Sequence, residues 1–201
     1  MTHRRKPAML SRVRTVLDSR YGGPRGCALH FSALGRYYLG AWRQYRAIDW
    51  ARVRRLVFVC MGNVCRSPYA AGRAEQLGLE SLSFGLDVRK SAPADAVAQV
   101  VAAQRSVDLS PYRSQPLQPG DLRDTDLVVL MEPGHLRTLK QLAPELPCQT
   151  TLLGLWCPSP HPHVFDPLGR SAEYFAECYS LIDNGLRRMV ELLIEHVRSA
   201  K

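Results

Sequence analysis

The chain has 201 residues, which suits one domain or one domain with an appendage, and its 46% hydrophobic content supports a sizeable core. Its formal net charge of +9 is unevenly spread: residues 1–55 hold 13 Lys and Arg residues against two acidic residues, whereas residues 56–201 hold 14 against 16. This distribution excludes a uniformly basic protein. It predicts a basic helical extension over 1–55, followed by a nearly neutral domain over 56–201.

The sequence also bears on the compartment. It has no stretch of about 18 consecutive apolar residues, so we expect no membrane-spanning helix. The first residues, MTHRRKPAMLSRVR, are basic but no apolar segment follows them, so we expect no signal peptide. Six cysteines without an export signal indicate free thiols in a reducing compartment. We therefore expect a cytoplasmic protein.

The predicted elements begin with two helices, over 8–20 and 27–47, separated by the turn-forming sequence YGGPRG. From residue 56 onward, apolar runs alternate with helical patterns. The predicted strands are 56–60, 81–85, a strand within 124–131, and 150–156. The predicted helices are 67–77, 93–104, 134–142 and 171–198, and a proline-rich loop precedes the last of them at 157–169. This alternation predicts a parallel sheet wrapped by helices.

The first predicted strand ends on a cysteine, within the sequence VFVCMGNVCRSPYA at 57–70. Ligands bind beyond the carboxyl ends of strands in open parallel sheets, and Cys60 lies at such an end. Residues 61–66 must turn from strand to helix, and a loop of this kind directs its backbone N–H groups inward around an anion. The helix that begins near Ser67 adds its positive end. Such surroundings favour a thiolate, so we predict that Cys60 is a nucleophile.

The other residues of this loop fit a phosphate ligand. The planar guanidinium of Arg66 matches two phosphate oxygens at once. Ser67 can donate a hydrogen bond to the sulfur, which helps it to attack and later to leave. Gly62 permits a backbone conformation that other residues resist. Asn63 tolerates left-handed geometry and can tie the loop together through its amide.

At this point the sequence resembles a known family. VCMGNVCRSP is similar to the C-x5-R-S signature of the low-molecular-weight protein tyrosine phosphatases. That family also has an Asp-Pro pair in a late loop before its C-terminal helix, where this sequence has Asp166 and Pro167. VVLMEPGH at 128–135 resembles the family's third strand, and the likeness extends over 56–198. The resemblance implies a flavodoxin-like α/β fold, with a four-stranded parallel sheet between two helical layers.

The resemblance also implies a two-step hydrolysis of phosphotyrosine in proteins, without metal or cofactor. Cys60 would attack phosphorus and form a phosphocysteine, while Arg66 and the loop amides hold the oxygens. Asp166 would protonate the leaving phenolate and then deprotonate the attacking water. Cys65 is either an apolar filler beneath the loop or, as in this family, a thiol that captures an oxidised nucleophile as a disulfide.

Five positions depart from the family pattern. Leu168 replaces an aromatic residue that usually follows the Asp-Pro pair, and Arg89 and Lys90 stand where a second aromatic wall is common. Tyr112 replaces a histidine, and Glu132 replaces an aspartate. These changes leave the chemistry intact but predict a cleft rim that favours acidic peptides or a less planar leaving group. The predicted substrate-binding residues are Met61, Gly62, Asn63, Val64, Cys65, Ser67 and Leu168.

Two other functions are compatible with parts of this pattern. A thioredoxin-coupled arsenate reductase uses the same anion loop, but it needs two further cysteines close together in the middle of the chain, and none lies between Cys65 and Cys148. The second alternative is a module that only binds phosphotyrosine. Such a module would not need an intact set of Cys60, Arg66 and Asp166, so the presence of all three argues against it.

A zinc site is a weaker interpretation of one late segment. Cys157, His161, His163 and Asp166 include ligand types for zinc, but prolines interrupt the segment. A metal on Asp166 would also remove the acid from the reaction. We therefore predict no metal site.

The extension allows several interpretations. Its apolar stripe, which includes Phe31, Tyr38 and Trp42, either packs against the catalytic domain or faces an anionic membrane surface or an acidic partner. We expect no nucleic acid, because no specific motif for it appears. The substrate is expected to be a phosphotyrosine protein, and the resemblance favours a bacterial tyrosine kinase that controls polysaccharide export.

Overall fold

The computed structural model describes residues 8–199, and its elements alternate as the sequence predicts. The helices are α1 (Ala8–Tyr21), α2 (Pro24–Tyr38), α3 (Arg66–Gln76), α4 (Ala96–Ala103), α5 (Pro133–Leu142) and α6 (Ala172–Ser199). The strands are β1 (Arg55–Cys60), β2 (Ser81–Gly85), β3 (Asp126–Leu130) and β4 (Gln149–Leu152). The strands form one sheet in the order β2-β1-β3-β4, and every pair is parallel. The four-stranded, three-layer α/β fold is confirmed.

The two central strands are buried along their whole length. All residues of β1 and β3 are shielded from solvent, which explains their unbroken apolar runs. The pairing places Cys60 of β1 beside Gly85 of β2, and Val59 beside Leu130 of β3. The carboxyl ends of three strands therefore meet at one edge of the sheet, where the predicted nucleophile lies.

Strand β1 begins one residue earlier than predicted, at a buried ion pair. The guanidinium of Arg55 donates to both carboxylate oxygens of Asp126 at 2.9 and 2.7 Å. Both side chains are nearly inaccessible to solvent, so each charge is neutralised by the other. This pair aligns the first residues of β1 and β3.

The prediction of a helix over 27–47 is wrong in its second half. Helix α2 ends at Tyr38, and Gly40 follows with a φ of 83°, a left-handed conformation that interrupts the helix. A short 3-10 turn at Arg43–Tyr45 comes next. The chain bends so that the indole of Trp42 is buried and donates to the carbonyl of Ala33 at 3.1 Å.

Two further boundaries differ from the predictions. The helix predicted over 93–104 begins at Ala96, because the Asp95 carboxylate caps it by accepting from the N–H groups of Val97 and Ala98. Pro93 therefore lies before the helix rather than at its start. The strand predicted over 150–156 ends at Leu152, and its last four residues form a 3-10 helix.

Part of the extension packs into the same core as the sheet. Trp50 is 5% exposed and meets Trp156 edge to face, with ring centroids 4.9 Å apart. The carbonyl of Tyr45 accepts a hydrogen bond from Thr151 of β4 at 2.6 Å. By contrast, Phe31 and most of α1 remain exposed. No helix within 8–199 is long and apolar enough to cross a membrane.

Candidate active site

The predicted nucleophile lies under a short loop between β1 and α3. Cys60 is the last residue of β1, and α3 begins at Arg66, so residues 61–65 make the whole turn. Cys60 is 2% exposed, and its sulfur lies 3.0 Å from the hydroxyl oxygen of Ser67 in the first turn of α3. The predicted contact between sulfur and hydroxyl is therefore present. The N-terminus of α3 also directs its positive end at this sulfur.

The side chain of Asn63 holds the loop together. Its backbone has a φ of 56°, the left-handed conformation that the sequence predicts. Its amide nitrogen donates to the hydroxyls of Ser67 at 2.9 Å and Ser83 at 2.7 Å. Its amide oxygen accepts from Tyr112 Oη at 2.7 Å and from the N–H of Gln115 at 2.9 Å. The loop is thereby fixed to β2 and to the segment that follows α4.

The glycine that the loop requires is not the one predicted. Gly62 has no positive φ, and a Cβ there would meet only Val64 at an ordinary 3.8 Å. Gly85 at the end of β2 is the constrained position, because a Cβ there would lie 2.8 Å from the carbonyl oxygen of Met61 and 2.9 Å from Cβ of Asn63. The absence of a side chain at Gly85 lets the loop lie directly on β2.

The remaining loop residues fill the space beneath and beside the loop. Met61 is partly exposed on the outer surface, and Val64 is half-buried. Cys65 is buried, and its carbonyl accepts a hydrogen bond from Tyr179 Oη at 3.1 Å. Burial raises the pKa of the Cys65 thiol well above its ordinary value, so this group rests as a thiol rather than a thiolate. Its redox role stays a prediction.

Arg66 is buried and held by two carboxylates. Its Nη1 donates to the carboxylate of Glu132 and, at 2.8 Å, to the carbonyl of Val164. Its Nη2 lies 2.9 Å from Oδ2 of Asp166. Burial alone would lower the pKa of Arg66, but Asp166 and Glu132 outweigh it and raise that pKa. The guanidinium is therefore charged and oriented, while neither its Nε nor its Nη2 makes a hydrogen bond among the described residues.

Glu132, noted above as a departure from the family pattern, orients that guanidinium. Its carboxylate also lies 3.8 Å from Nε2 of His135 and 3.5 Å from Nε2 of His163. Burial would raise the pKa of Glu132, but the positive charge of Arg66 and its hydrogen bond lower that pKa on balance. Burial lowers the pKa of His135 to about 4, so this ring is neutral at physiological pH. The negative charge of Glu132 is thus held against the guanidinium of Arg66.

Asp166 reaches the loop from the far end of the chain. Its carboxylate pairs with Arg66 and also accepts a hydrogen bond from the N–H of Leu168 at 3.2 Å. Leu168 is 54% exposed at the rim. Arg89 is exposed, and its Nε lies 3.5 Å from Oδ1 of Asp87. The structure therefore brings Cys60, Arg66 and Asp166 to one edge of the sheet.

The residues considered for zinc have separate partners. The Cys157 thiol donates to the carbonyl of Leu181 at 3.3 Å, and the ring of His161 packs against that of His30 with centroids 3.9 Å apart. His163 faces Glu132 instead. Within residues 8–199, no group of three His, Cys, Asp or Glu side chains is arranged to hold a metal ion.

Some functional residues carried no sequence signal of their own. Ser83, Gly85 and Gln115 support the loop, yet nothing in their local sequence distinguishes them from ordinary strand and loop residues. Tyr112 was singled out only as a departure from a pattern. The structure shows that its hydroxyl performs the loop-supporting hydrogen bonds to Asn63 and Ser83.

The fold and the site together define a class of protein. Cysteine-dependent phosphatases have a four-stranded parallel sheet, an anion loop from a Cys to an Arg at its edge, and an aspartate near that loop. The sequence model of the family described as low molecular weight phosphotyrosine protein phosphatase matches residues 55–199. The chain therefore belongs to this family.

Individual relatives agree with this assignment. The low molecular weight protein-tyrosine-phosphatase Wzb of Escherichia coli K12 is 32% identical over 145 residues, which are 69% of this chain and 94% of that protein. The solved structure of Vibrio vulnificus Wzb in complex with benzylphosphonate is similar with a TM-score of 0.63 and 33% identity, covering 70% of this chain and 99% of that one. The solved structure of the YwlE arginine phosphatase of Geobacillus stearothermophilus is similar with a TM-score of 0.64 and 26% identity. The match covers 71% of this chain and 94% of that one.

Proposed function

We propose that this protein is a protein-tyrosine phosphatase that hydrolyses phosphotyrosine through a phosphocysteine intermediate on Cys60. One observation carries the proposal. The Cys60 sulfur lies at the carboxyl end of β1 with the Ser67 hydroxyl 3.0 Å away, and Asp166 is held 2.9 Å from Arg66 at the same edge. Family membership and the tyrosine phosphatases among its relatives support the same reaction.

The geometry suits an in-line displacement at phosphorus. The Cys60 thiolate forms the S–P bond as the bond from phosphorus to the tyrosine oxygen breaks, and Asp166 gives its proton to that oxygen. Asp166, now a carboxylate, takes a proton from water, which attacks phosphorus. The S–P bond then breaks and releases inorganic phosphate. The hydrogen bond from Ser67 stabilises the departing thiolate, and Arg66 with the loop amides holds the phosphoryl oxygens.

The proposal must also specify the leaving group, which is either the oxygen of phosphotyrosine or the nitrogen of phosphoarginine. One structural relative binds benzylphosphonate, which carries an aromatic ring, and another is an arginine phosphatase. The exposed Leu168 offers apolar contact without an aromatic face. We propose that the leaving group is an aryl oxygen. The tyrosine phosphatases named above are 32% and 33% identical to this chain, whereas the arginine phosphatase is 26% identical.

The test compares a phosphotyrosine peptide with phosphoarginine in the presence of a metal chelator. We expect the peptide to be hydrolysed, and we expect Cys60→Ser to lower kcat by at least about a thousandfold. Cys148→Ser, which changes a half-buried thiol away from the loop, is the matched control and should retain activity. Acid-quenched wild type should contain a phosphocysteine. Turnover of phosphoarginine alone, or no phospho-enzyme, would contradict the proposal.

We also propose the physiological context that the sequence suggested. The substrate is a phosphotyrosine protein, specifically a bacterial tyrosine kinase, as the family resemblance implies. The six cysteines are free thiols in the structure, and a thiol nucleophile must stay reduced to work. Both points support a reducing, cytoplasmic setting.

We further propose that the extension over 1–55 is a functional unit added to the catalytic domain over 56–201, and that it binds an anionic membrane surface. Large apolar side chains are exposed on the extension at Met9, Leu10, Val13, Val16, Phe31, Tyr38 and Leu39. Exposed arginines lie among them at Arg12, Arg14, Arg20, Arg25, Arg36, Arg43 and Arg46. Cationic and apolar side chains together, with few acids, suit helices that lie on anionic lipid.

Co-sedimentation with phosphatidylcholine vesicles, with and without phosphatidylglycerol, tests this proposal on the full chain. We expect binding only to the anionic vesicles, weakened by salt and by the double variant Met9→Ser, Val13→Ser. Leu77→Ser, which changes an exposed leucine outside the extension, should bind as wild type does. Binding to neither vesicle would overturn the proposal, and capture of the protein by polyglutamate in that case would favour an acidic protein partner.

A further inference from the structure

The extension contacts the catalytic machinery through the proline-rich loop over 157–169, which carries Asp166. We propose that the turn between α1 and α2, together with His30, is a positioning element for Asp166 that acts through Phe165. This inference rests on the proposed role of Asp166 as the general acid. It adds that part of the extension governs how well that acid works.

The loop depends on such contacts because it has little structure of its own. Residues 160–167 form neither helix nor strand. Its backbone is tied down by the N–H of His161 to the carbonyl of Gly154 at 2.8 Å, and by the N–H of Val164 to the carbonyl of Met131 at 2.9 Å. Both precede Phe165, and the next backbone hydrogen bond, from the N–H of Arg170 to the carbonyl of Pro167 at 2.9 Å, comes after Asp166. Between these ties, Phe165 and Asp166 are held by contacts with side chains, among them the ion pair of Asp166 with Arg66.

Two glycines bring the extension against Phe165. Gly22 has a φ of 70°, and a Cβ there would lie 2.9 Å from the Phe165 ring and 2.7 Å from the Tyr174 ring. A Cβ at Gly26, in the first turn of α2, would lie 1.8 Å from the carbonyl oxygen of Tyr21 and 3.0 Å from the same Phe165 ring. The missing side chain at Gly26 therefore lets α2 begin against the end of α1, and the missing side chain at Gly22 lets the turn lie directly on Phe165. A side chain at Gly22 would displace the Phe165 and Tyr174 rings and strain the left-handed backbone.

The other sides of Phe165 are also occupied. The guanidinium of Arg170 lies 5.5 Å from the ring centroid, and the ring of His163 stacks at 5.9 Å. The Tyr174 hydroxyl donates to the Phe165 carbonyl at 3.1 Å. The ring is thus held between the extension on one side and the catalytic domain on the others, one peptide bond from Asp166.

A second contact holds the start of the loop. The ring of His30 in α2 is 8% exposed and packs against the ring of His161, with centroids 3.9 Å apart and the planes tilted by 31°. The extension therefore meets the loop at His161 and at Phe165, on both sides of its backbone tie at Val164. The family match begins at residue 55, so these contacts come from outside the matched region. Loss of either contact would let Asp166 move relative to Arg66, and a displacement of about 1 Å can lower a rate about a hundredfold.

The experiment compares two aryl phosphates on full-length variants. A nitrophenolate leaves without help, whereas an unsubstituted phenolate needs the proton from Asp166. For His30→Ala we expect kcat/KM to fall about tenfold for phenyl phosphate and less than about threefold for nitrophenyl phosphate. His30→Phe keeps a ring at 30 and should restore the wild-type ratio. Ser32→Ala changes an exposed side chain of the same helix and is the control.

A double-variant cycle separates positioning from general loosening. In an Asp166→Asn background, His30→Ala should have no further effect on the ratio between the two substrates, because the group it positions is gone. Phe165→Leu should lower the ratio of kcat/KM for phenyl phosphate to kcat/KM for nitrophenyl phosphate, as His30→Ala does. It supplies the test if His30→Ala does not fold. An unchanged ratio in a folded variant would overturn the proposal. Failure of wild type to hydrolyse either substrate would instead overturn the proposed function.

Discussion

Asn63 takes part in four hydrogen bonds through a single amide, and each joins the phosphate loop to a different group. Two of those groups lie on serines and one on Tyr112. A loop that must present several backbone N–H groups to one anion gains most from being rigid, because donors already in place need no reorganisation during the reaction. The amide of Asn63 supplies that rigidity.

Removal of the Tyr112 hydroxyl should weaken this network. Tyr112→Phe keeps the ring but deletes the hydrogen bonds to Asn63 at 2.7 Å and Ser83 at 3.0 Å. We expect the free energy of unfolding to fall by about 1–2 kcal/mol, measured by urea denaturation, and kcat to fall as the loop loosens. The control is Tyr38→Phe, whose hydroxyl belongs to a 74% exposed residue. Equal stabilities of the two variants would show that the network adds nothing.

At the scale of elements, the proline-rich loop is the part of the site most sensitive to its neighbours. It carries Asp166 and packs against α2 through a pair of histidine rings. Burial lowers the pKa of His161 to about 3, with further lowering by His30, His163 and Arg20. Burial likewise lowers the pKa of His30. Both rings are therefore neutral where this contact forms.

This contact predicts a loss of stability in mild acid. A buried histidine whose folded pKa is lowered binds fewer protons in the folded state than in the unfolded state. The free energy of unfolding therefore falls as pH drops below the ordinary value of about 6.5, and continues to fall until about 3. Between pH 7 and pH 5 we expect His161 to account for about 1–2 kcal/mol of lost stability.

The measurement is urea denaturation of wild type and His161→Phe at the two pH values. The phenylalanine ring can stack on His30 but cannot be protonated, so the variant should lose less stability at pH 5 than wild type. His196→Asn, on the exposed end of α6, controls for general histidine titration. A pH dependence that His161→Phe leaves unchanged would contradict the argument.

At the scale of the whole molecule, the extension and the sheet share one hydrophobic core. Trp42, Trp50 and Val53 belong to the same buried cluster as β1 and β3. Trp50 also meets Trp156, which follows β4. A segment with this much buried apolar surface should unfold together with the domain it packs on.

Truncation of Trp50 tests this cooperativity. Trp50→Ala should lower the free energy of unfolding by about 3–5 kcal/mol, because it empties a large buried site. Far-UV circular dichroism and tryptophan fluorescence should report one coincident transition in wild type. Tyr38→Ala, which removes an exposed ring, should have little effect. Separate transitions for the extension and the sheet would show two independent units.

The local parts of the site were predictable because they are contiguous. Cys60, Asn63, Arg66 and Ser67 lie within eight residues, and the covalent chain alone places them on one turn between a strand and a helix. The buried strands were equally clear, since sheets covered on both faces require unbroken apolar runs. The helix predicted to 47 failed because Gly40 adopts a left-handed conformation, which periodicity does not report.

The sequence by itself thus determined the fold class and the strand-to-helix loop that holds the predicted nucleophile, both of which depend on short-range spacing and patterning. Tertiary structure alone decided which distant residues complete the site. Tyr112 and Gly85 support the loop, Glu132 orients Arg66, and the extension reaches Phe165. Each of these contacts joins segments far apart in the chain, and packing of the whole core sets their distances, so no local pattern records them.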